Sequence, residues 1–129
     1  MRSIRGIRAV AAVVAGLGVM IDAAYAQEKA AGEKLFKGQC MTCHSTGRGE
    51  PHRQGPNLFG IVGRDAGRTP GYTYSDAFQK ALGGKRWTDA ALDAWLADTQ
   101  DVAPGSVMPY VQADADKRRE LIKYLNTLH

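Results

Sequence analysis

The sequence predicts an all-α domain of about four to five short helices joined by long loops that wrap around a buried group. Three observations favour this fold class. No strand-like alternation of apolar and polar residues runs through residues 27–129, whereas several segments repeat apolar residues at helical spacing. Residues 45–70 are rich in Gly, Pro, Arg and Asn, and so long a loop is unusual in a compact domain unless a ligand replaces the missing helices.

The N-terminal segment has the three parts of a secretory signal peptide. Three arginines form a basic start, an apolar run of thirteen residues covers Ala9–Ile21, and Ala24–Ala26 provides a small-x-small cleavage site. The run is shorter than the roughly 20 residues that span a bilayer. We therefore expect residues 1–26 to be removed on export to the periplasm, leaving no stable membrane insertion. An uncleaved membrane anchor is the alternative.

Cleavage would leave residues 27–129, which are enough for one small domain with a modest core. Removing three arginines and Asp22 leaves 14 of the 17 basic residues and 12 of the 13 acidic ones. The mature protein is then only slightly cationic. Its charge gives no reason to expect a nucleic-acid partner.

The first predicted helix of this domain covers residues 28–39. Ala31, Leu35 and Phe36 share one face, and charged residues lie elsewhere, as in an amphipathic helix. Gly32 allows two interpretations. It lies where another helix approaches closely, or the helix merely tolerates it.

Two short helices of about ten residues or fewer follow the long loop. Ser75 is the predicted N-cap of the first, which ends at Leu82 before two glycines. Thr88 is the predicted N-cap of the second, which carries two leucines and Trp95.

The last predicted helix follows a loop. Asp101–Gln112 contains two prolines and a glycine, so it cannot be regular helix. The helix begins near Asp114 or Asp116. Its apolar stripe consists of Leu121, Ile122, Leu125 and Leu128.

Cys40, Cys43 and His44 form the pattern C-x-x-C-H, which is typical of c-type haem attachment. The two thiols add to the vinyl groups of the haem, and the histidine binds the iron from the proximal face. A C-x-x-C pair alone also suits a dithiol centre, a disulfide or half a zinc site. A disulfide here would close a very small loop and constrain little of the unfolded chain, and a zinc site needs further ligands. Haem attachment explains the pattern better.

A second iron ligand would have to come from elsewhere in the chain. The two methionines of the signal segment leave with it, and Met41 lies inside the attachment loop on the wrong side of the ring. Met108, in the proline-containing loop, is the leading candidate. His52 is too close in sequence to His44 to reach the opposite face easily, and His129 is a terminus, so a bis-histidine or open site is the alternative. Histidine with methionine is the pair that raises the reduction potential of such centres.

Ordered blocks of residues extend from the first predicted helix to the last. They are Gly32-x-x-Leu35-Phe36, Gly55-Pro56-Asn57-Leu58, Gly63-Arg64, Gly71-Tyr72-Thr73-Tyr74-Ser75-Asp76-Ala77, Trp87, Pro104-Gly105-Ser106-x-Met108 and Leu121-Ile122-x-Tyr124-Leu125. In these blocks and in the haem motif, the chain resembles the class I cytochromes c of mitochondria and bacteria. The resemblance covers nearly all of residues 27–129. It implies the class I cytochrome c fold around one haem c.

The resemblance also implies roles for five further residues. The carbonyl of Pro56 would accept a hydrogen bond from the second ring nitrogen of the proximal histidine and so strengthen it as a ligand. The other four match positions that hydrogen-bond or neutralise the haem propionates, whose partly buried charges are otherwise costly. They are Arg64, Tyr74, Trp87 and Ser106.

Three departures from the family pattern stand out. Trp95 replaces the usual tyrosine whose hydroxyl points toward the methionine sulfur, and Phe78 falls near an asparagine that adjoins a buried water, which implies a drier pocket. The lysines that ring the haem edge in mitochondrial proteins are missing from residues 98–101 and 106–108. We therefore expect a redox partner to recognise a small apolar patch instead. The patch consists of Val107, Pro109 and Tyr110.

The expected function is that of a monomeric, periplasmic one-electron carrier, not an enzyme. Its partners would be a reductase, an oxidase or a dehydrogenase that docks at the exposed haem edge. Two alternatives are a small haem peroxidase, which would need Met108 to leave, and a dedicated electron-accepting subunit of a periplasmic dehydrogenase. A zinc or disulfide binding module is a third.

Overall fold

The computed structural model describes residues 11–129. These residues form five helices, in chain order α1 Ala11–Gln39, α2 Asp76–Leu82, α3 Asp89–Ala97, α4 Thr99–Val102 and α5 Ala115–Leu125. In this part of the chain the only extended pairing is two isolated bridges, Asp65 with Arg86 and Asp98 with Val111. The predicted all-α fold of short helices and long loops is confirmed.

Three helices begin at the residues that the sequence predicts. The side chains of Ser75 and Thr88 accept hydrogen bonds from main-chain N–H groups at the starts of α2 and α3. Asp114 does the same at the start of α5. Each such cap satisfies donors that the helix cannot, which contributes about 1 kcal/mol to the stability of its helix.

Two helices differ from the prediction. The helix predicted over 28–39 is the C-terminal part of α1, which already includes Ala11 and runs through the predicted cleavage point. α4 is absent from the prediction, and its last two residues fall in the segment Asp101–Gln112 that was expected to contain no regular helix. α4 is a single turn whose formation depends on Asp98, which caps it, and on contacts with residues distant in sequence.

The long loop folds back across the cysteine motif. The Gly55 N–H donates to the Cys43 carbonyl at 2.8 Å, and the Leu58 N–H donates to the Ser45 carbonyl at 2.9 Å. Farther along, Trp87 exchanges hydrogen bonds with the main chain of residues 63–64. The loop therefore encloses the space between α1 and the later helices, as the sequence predicts for a loop around a ligand.

α1 and α5 pack against each other at Gly32. A Cβ atom built on this glycine would overlap the carbonyl of Glu120 and lie 3.0 Å from the Cβ of Tyr124. Phe36 and Leu121 are almost fully buried beside the crossing, and the Phe36 and Tyr124 rings are 5.3 Å apart. Gly32 is therefore needed for the close approach of the two helices, and the interpretation of a merely tolerated glycine is wrong.

We expect Gly32→Ala to destabilise the fold by about 1–3 kcal/mol, because the backbones of α1 and α5 must separate to admit the methyl group. Gly38→Ala, in the same helix, is the matched control because nothing lies within 4 Å of its built Cβ. There, alanine should stabilise the helix by about 0.5–1 kcal/mol. Thermal unfolding of both variants checks this. Equal effects at the two positions would contradict the proposed crossing.

Candidate functional site

A cavity of about 620 Å³ lies at the centre of the described chain. Its volume is in the range of sites for organic cofactors. Cys40, Cys43 and His44 line it together with Met108. Four more predicted site residues also line it: Pro56, Tyr74, Trp87 and Ser106. Its remaining walls are mostly aliphatic and aromatic side chains, including Phe36, Leu58, Ile61, Phe78, Trp95 and Leu121.

The cysteine motif forms a turn at the C-terminal end of α1. The N–H groups of Cys43 and His44 both donate to the carbonyl of Cys40, at 3.1 and 2.9 Å. This turn presents both thiols and the imidazole to the same cavity. The local turn thus brings the two thiols and the imidazole together.

The chemistry of the thiols disfavours a dithiol redox centre. Burial, with a smaller contribution from the charge of Cys43, raises the pKa of the Cys40 thiol to about 11. A reactive dithiol needs the opposite shift, because the thiolate is the nucleophile. Cys43 donates to the side-chain oxygen of Gln54 at 3.0 Å, and neither cysteine is in a disulfide. Among the residues described, no three Cys, His, Asp or Glu side chains gather as they would around a zinc ion.

The imidazole of His44 is held in its neutral form. Its Nδ1 donates to the carbonyl of Pro56 at 2.8 Å, and its side chain is almost fully buried. Burial lowers the pKa of the imidazole, and the bond to Pro56 opposes this effect only in part. With the proton on Nδ1, the lone pair of Nε2 is free for a metal.

Gly55 covers the ring of His44. A Cβ atom built on Gly55 would overlap the imidazole, with 2.7 Å to its Nδ1. Only a glycine therefore fits at this position of the loop. The loop clamps the imidazole by a hydrogen bond at its edge and by backbone contact.

The competing ligands lie elsewhere. The Nε2 of His52 pairs with the carbonyl of Pro70 at 2.9 Å, and its Nδ1 accepts from the N–H of Asn57 at 3.0 Å, so both ring nitrogens are occupied. His129 is exposed, and its Nδ1 pairs with a main-chain carbonyl of its own C-terminal turn. Met41 is exposed as well. None of the three lines the cavity, whereas Met108 does.

A polar cluster borders one part of the cavity. The hydroxyl of Tyr74 donates to Thr69 Oγ1 at 2.8 Å, and Arg64 Nη1 donates to the same oxygen at 3.2 Å. The guanidinium of Arg64 also donates to the carbonyl of Phe59. Arg64 is thus set behind Tyr74 rather than in the wall itself, and Thr69 links it to Tyr74, which lines the cavity. Thr69 belongs to no motif, so its place in this cluster could not be predicted from the sequence.

Aromatic rings form the wall at Phe78 and Trp95, two of the three departures from the family pattern. Phe78 stacks on Tyr74 at 4.8 Å and meets Trp95 edge to face at 5.5 Å. Trp87 lies 6.0 Å from Trp95. Carbon atoms therefore cover this side of the cavity, in agreement with the expectation of a dry pocket.

The residues present fit a haem c. Two thiols stand beside a neutral imidazole with a free Nε2, and a thioether lies in the same cavity. The apolar walls suit a macrocycle, and the cluster of Arg64, Thr69 and Tyr74 suits its carboxylates. Gly55 packs its backbone against the His44 ring, where any side chain at position 55 would overlap the imidazole. An organic cofactor with an iron ion and two points of covalent attachment meets all of these features.

Comparisons with known proteins agree with this geometry. The family model described as Cytochrome c matches residues 29–129. A cytochrome c of Cannabis sativa is 41% identical over 97 residues, which cover 74% of this chain and 85% of that protein. A cytochrome c2 of Rhodopila globiformis is 41% identical over 98 residues, 75% of this chain and 90% of that protein. A cytochrome c2 of Blastochloris viridis is 36% identical over 110 residues, 84% of each.

Proposed function

The chain belongs to the cytochrome c family, and from this membership we propose that it is a monomeric one-electron carrier of the periplasm with His44 and Met108 as axial ligands. The family transfers electrons and is not enzymatic. Its single haem c is attached covalently through two cysteines, here Cys40 and Cys43. The observation that carries the proposed ligand pair is that His44 and Met108 line one cavity with both thiols.

The surrounding residues support electron transfer in definite ways. The Pro56 carbonyl orients His44 and increases its basicity as a ligand. Tyr74, Trp87 and Ser106, with Arg64 behind them, would offset the charge of the propionates. The aromatic wall excludes water, so little solvent rearranges when the charge of the site changes. The bound haem supplies the one-electron chemistry, and the protein supplies its orientation, potential and exposed edge.

A small peroxidase is the less favoured alternative, because it needs a distal acid or base near the iron. Among the described residues, the titratable side chains in the cavity wall are those of the two cysteines, His44, Tyr72 and Tyr74. A hydroxyl of a tyrosine is a weak substitute for a distal histidine or carboxylate. A dedicated electron-accepting subunit of a periplasmic dehydrogenase would use the same site, and it differs from a free carrier only in its partner.

The proposed carrier function is tested by reducing the purified holoprotein reversibly and then adding carbon monoxide to the ferrous form. We expect the ferrous spectrum to stay unchanged under carbon monoxide, because both axial positions are filled. The unfolded holoprotein is the positive control, since its distal position is open. A folded protein whose ferrous spectrum shifts under carbon monoxide would favour the peroxidase instead.

The packing of α1 supports cleavage after Ala26. Residues 20–27 are all exposed, and Glu28, which follows them, is partly buried. Glu28 pairs with Lys123 and, at 3.7 Å, with Arg119 of α5. The two ion pairs of Glu28 with α5 thus lie just after the proposed cleavage site, and before the site the exposed ring of Tyr25 lies 5.6 Å from Nζ of Lys123. No helix in the described part of the chain is long and apolar enough to cross a bilayer.

The proposed docking patch consists of Val107, Pro109 and Tyr110. Val107 is 75% exposed, and both it and Pro109 line the mouth of the cavity. The segment 102–112 has no charged side chain. A partner that docks here gains apolar burial rather than attraction between opposite charges, as in small redox encounters.

We expect the rate of electron transfer to the physiological partner to change by less than about threefold between 50 and 200 mM salt, because screening affects only charged encounters. Val107→Asp should slow the reaction. Ala90→Asp adds the same charge at an exposed position outside the cavity wall and is the matched control. Stopped-flow kinetics provide the measurement. A steep fall of the rate with salt would overturn the apolar patch.

A further inference from the structure

Two side chains of α4 hold the loop that carries Met108. Thr99 and Gln100 lie next to each other in this single helical turn, and both reach the main chain of residues 105–110. We propose that they are positioning residues that hold Met108 against the iron. The inference rests on the proposed ligation by Met108.

The main-chain carbonyl of Met108 is the shared target. It accepts hydrogen bonds from the hydroxyl of Thr99 and from Nε2 of Gln100, the latter at 3.3 Å. A carbonyl oxygen has two lone pairs, so this acceptor is satisfied from both sides. The backbone of the ligand residue is thereby fixed to α4, while its side chain faces the cavity.

Each of the two side chains also holds a residue that flanks Met108. The N–H of Tyr110 donates to Thr99 Oγ1 at 3.0 Å, and the N–H of Thr99 donates to the Tyr110 carbonyl at 3.0 Å. On the other side, Gln100 Nε2 donates to the Ser106 carbonyl at 3.1 Å and its Oε1 accepts from the Gly105 N–H at 3.0 Å. The loop is therefore held before, at and after its central residue.

α4 is rigid enough to serve as an anchor. Thr99 is 0% exposed, and Ala103 just after the helix is equally buried. The carboxylate of Asp98 caps the turn by accepting from the Gln100 N–H at 2.8 Å. By contrast, Pro104, Gly105, Val107 and Pro109 are exposed, so the loop itself has little packing of its own.

The chemistry of the ligand explains the need for such a device. A thioether is neutral and binds iron weakly, so its occupancy depends on the effective concentration that the loop maintains at the metal. Hydrogen bonds that restrict the loop raise this concentration without touching the sulfur. Loosening them should therefore allow a small external ligand to compete better, while the covalent attachment at Cys40 and Cys43 remains.

Imidazole binding to the ferric holoprotein, followed optically, tests the inference. Gln100→Glu keeps the acceptor for Gly105 but loses the donors to Ser106 and Met108. It should raise the affinity for imidazole by at least about tenfold, because tenfold is roughly the effect of one lost hydrogen bond and two are lost. Thr99→Val should act in the same direction, and Thr99→Ser should restore the wild-type affinity. If Thr99→Val does not fold, the imidazole affinity of Gln100→Glu alone decides whether the positioning role holds.

Gln79→Glu is the matched control, because Gln79 Nε2 donates to the carbonyl of Gly67 at 3.0 Å in another loop. It should lower stability without changing the affinity for imidazole. Equal affinity in Gln100→Glu and wild type would overturn the positioning role. Met108→Ala separates the two proposals: if it binds imidazole no better than wild type, the ligand assignment itself fails, and the positioning role fails with it.

Discussion

The double variant Cys40→Ser, Cys43→Ser is expected to retain no haem under denaturing conditions and to lose most of its cooperative fold. The first effect follows from the chemistry of attachment, since a serine hydroxyl forms no thioether. The second follows from the architecture. The central cavity lies among α1, α2, α3, α5 and the loops, and no side chain of the described residues fills it.

The size of the cavity gives the expected magnitude. An empty cavity costs about 24 cal/mol for each Å³, so one of about 620 Å³ would cost on the order of 15 kcal/mol. This is an upper bound, because one side of the cavity opens to solvent. Domains of this size are stable by only about 5–15 kcal/mol. A cost near this bound equals or exceeds the stability of the whole domain, so collapse to a disordered or molten state is the expected result without the cofactor.

Haem staining of denaturing gels and far-UV circular dichroism provide the two measurements. Thr42→Ala changes an exposed residue between the two cysteines and is the matched control. It should retain both haem and helical content. A double cysteine variant that unfolds cooperatively with full helical content in the absence of haem would show that the cofactor is not part of the core.

Features with a local cause were predictable from the sequence. The caps Ser75, Thr88 and Asp114 bond to their own helices, so the residue type and the following pattern suffice. The same holds for the turn of Cys40 to His44, which is closed by hydrogen bonds of the Cys43 and His44 N–H groups to the Cys40 carbonyl. The cavity was predictable because a long glycine- and proline-rich loop has no other way to be ordered.

Features that depend on distant residues were not predictable. α4 is held by Asp98 and by the pairing of Thr99 with Tyr110, and no periodicity announces a helix of one turn. Thr69 links Arg64 to Tyr74, yet no motif in the sequence around it indicates this role. Gly32 allowed two interpretations until the carbonyl of Glu120 was seen beside it. In each case the deciding partner lies elsewhere in the chain.

Met108→Ala is the second change with a large expected effect. Methionine ligation raises the reduction potential of a haem c, and axial ligands set potentials over a range of about 0.8 V. We expect the potential of the variant to fall by roughly a few tenths of a volt. The weak long-wavelength band of methionine-ligated ferric haem, which the family resemblance implies, should disappear, and carbon monoxide should bind the ferrous form. Haem should remain attached, because Cys40 and Cys43 are unchanged.

A redox titration with optical detection provides the measurement, and Met41→Ala is its matched control. Met41 is 41% exposed and does not line the cavity, so its loss should leave both the potential and the long-wavelength band unchanged. If the band and the potential of Met108→Ala were those of wild type, Met108 would not be the ligand. His52 would be a poor replacement, because to reach the iron it must first give up its bonds to Pro70 and Asn57. The polar contacts of His52 and the position of Met108 in the cavity wall thus both favour Met108 as the second axial ligand.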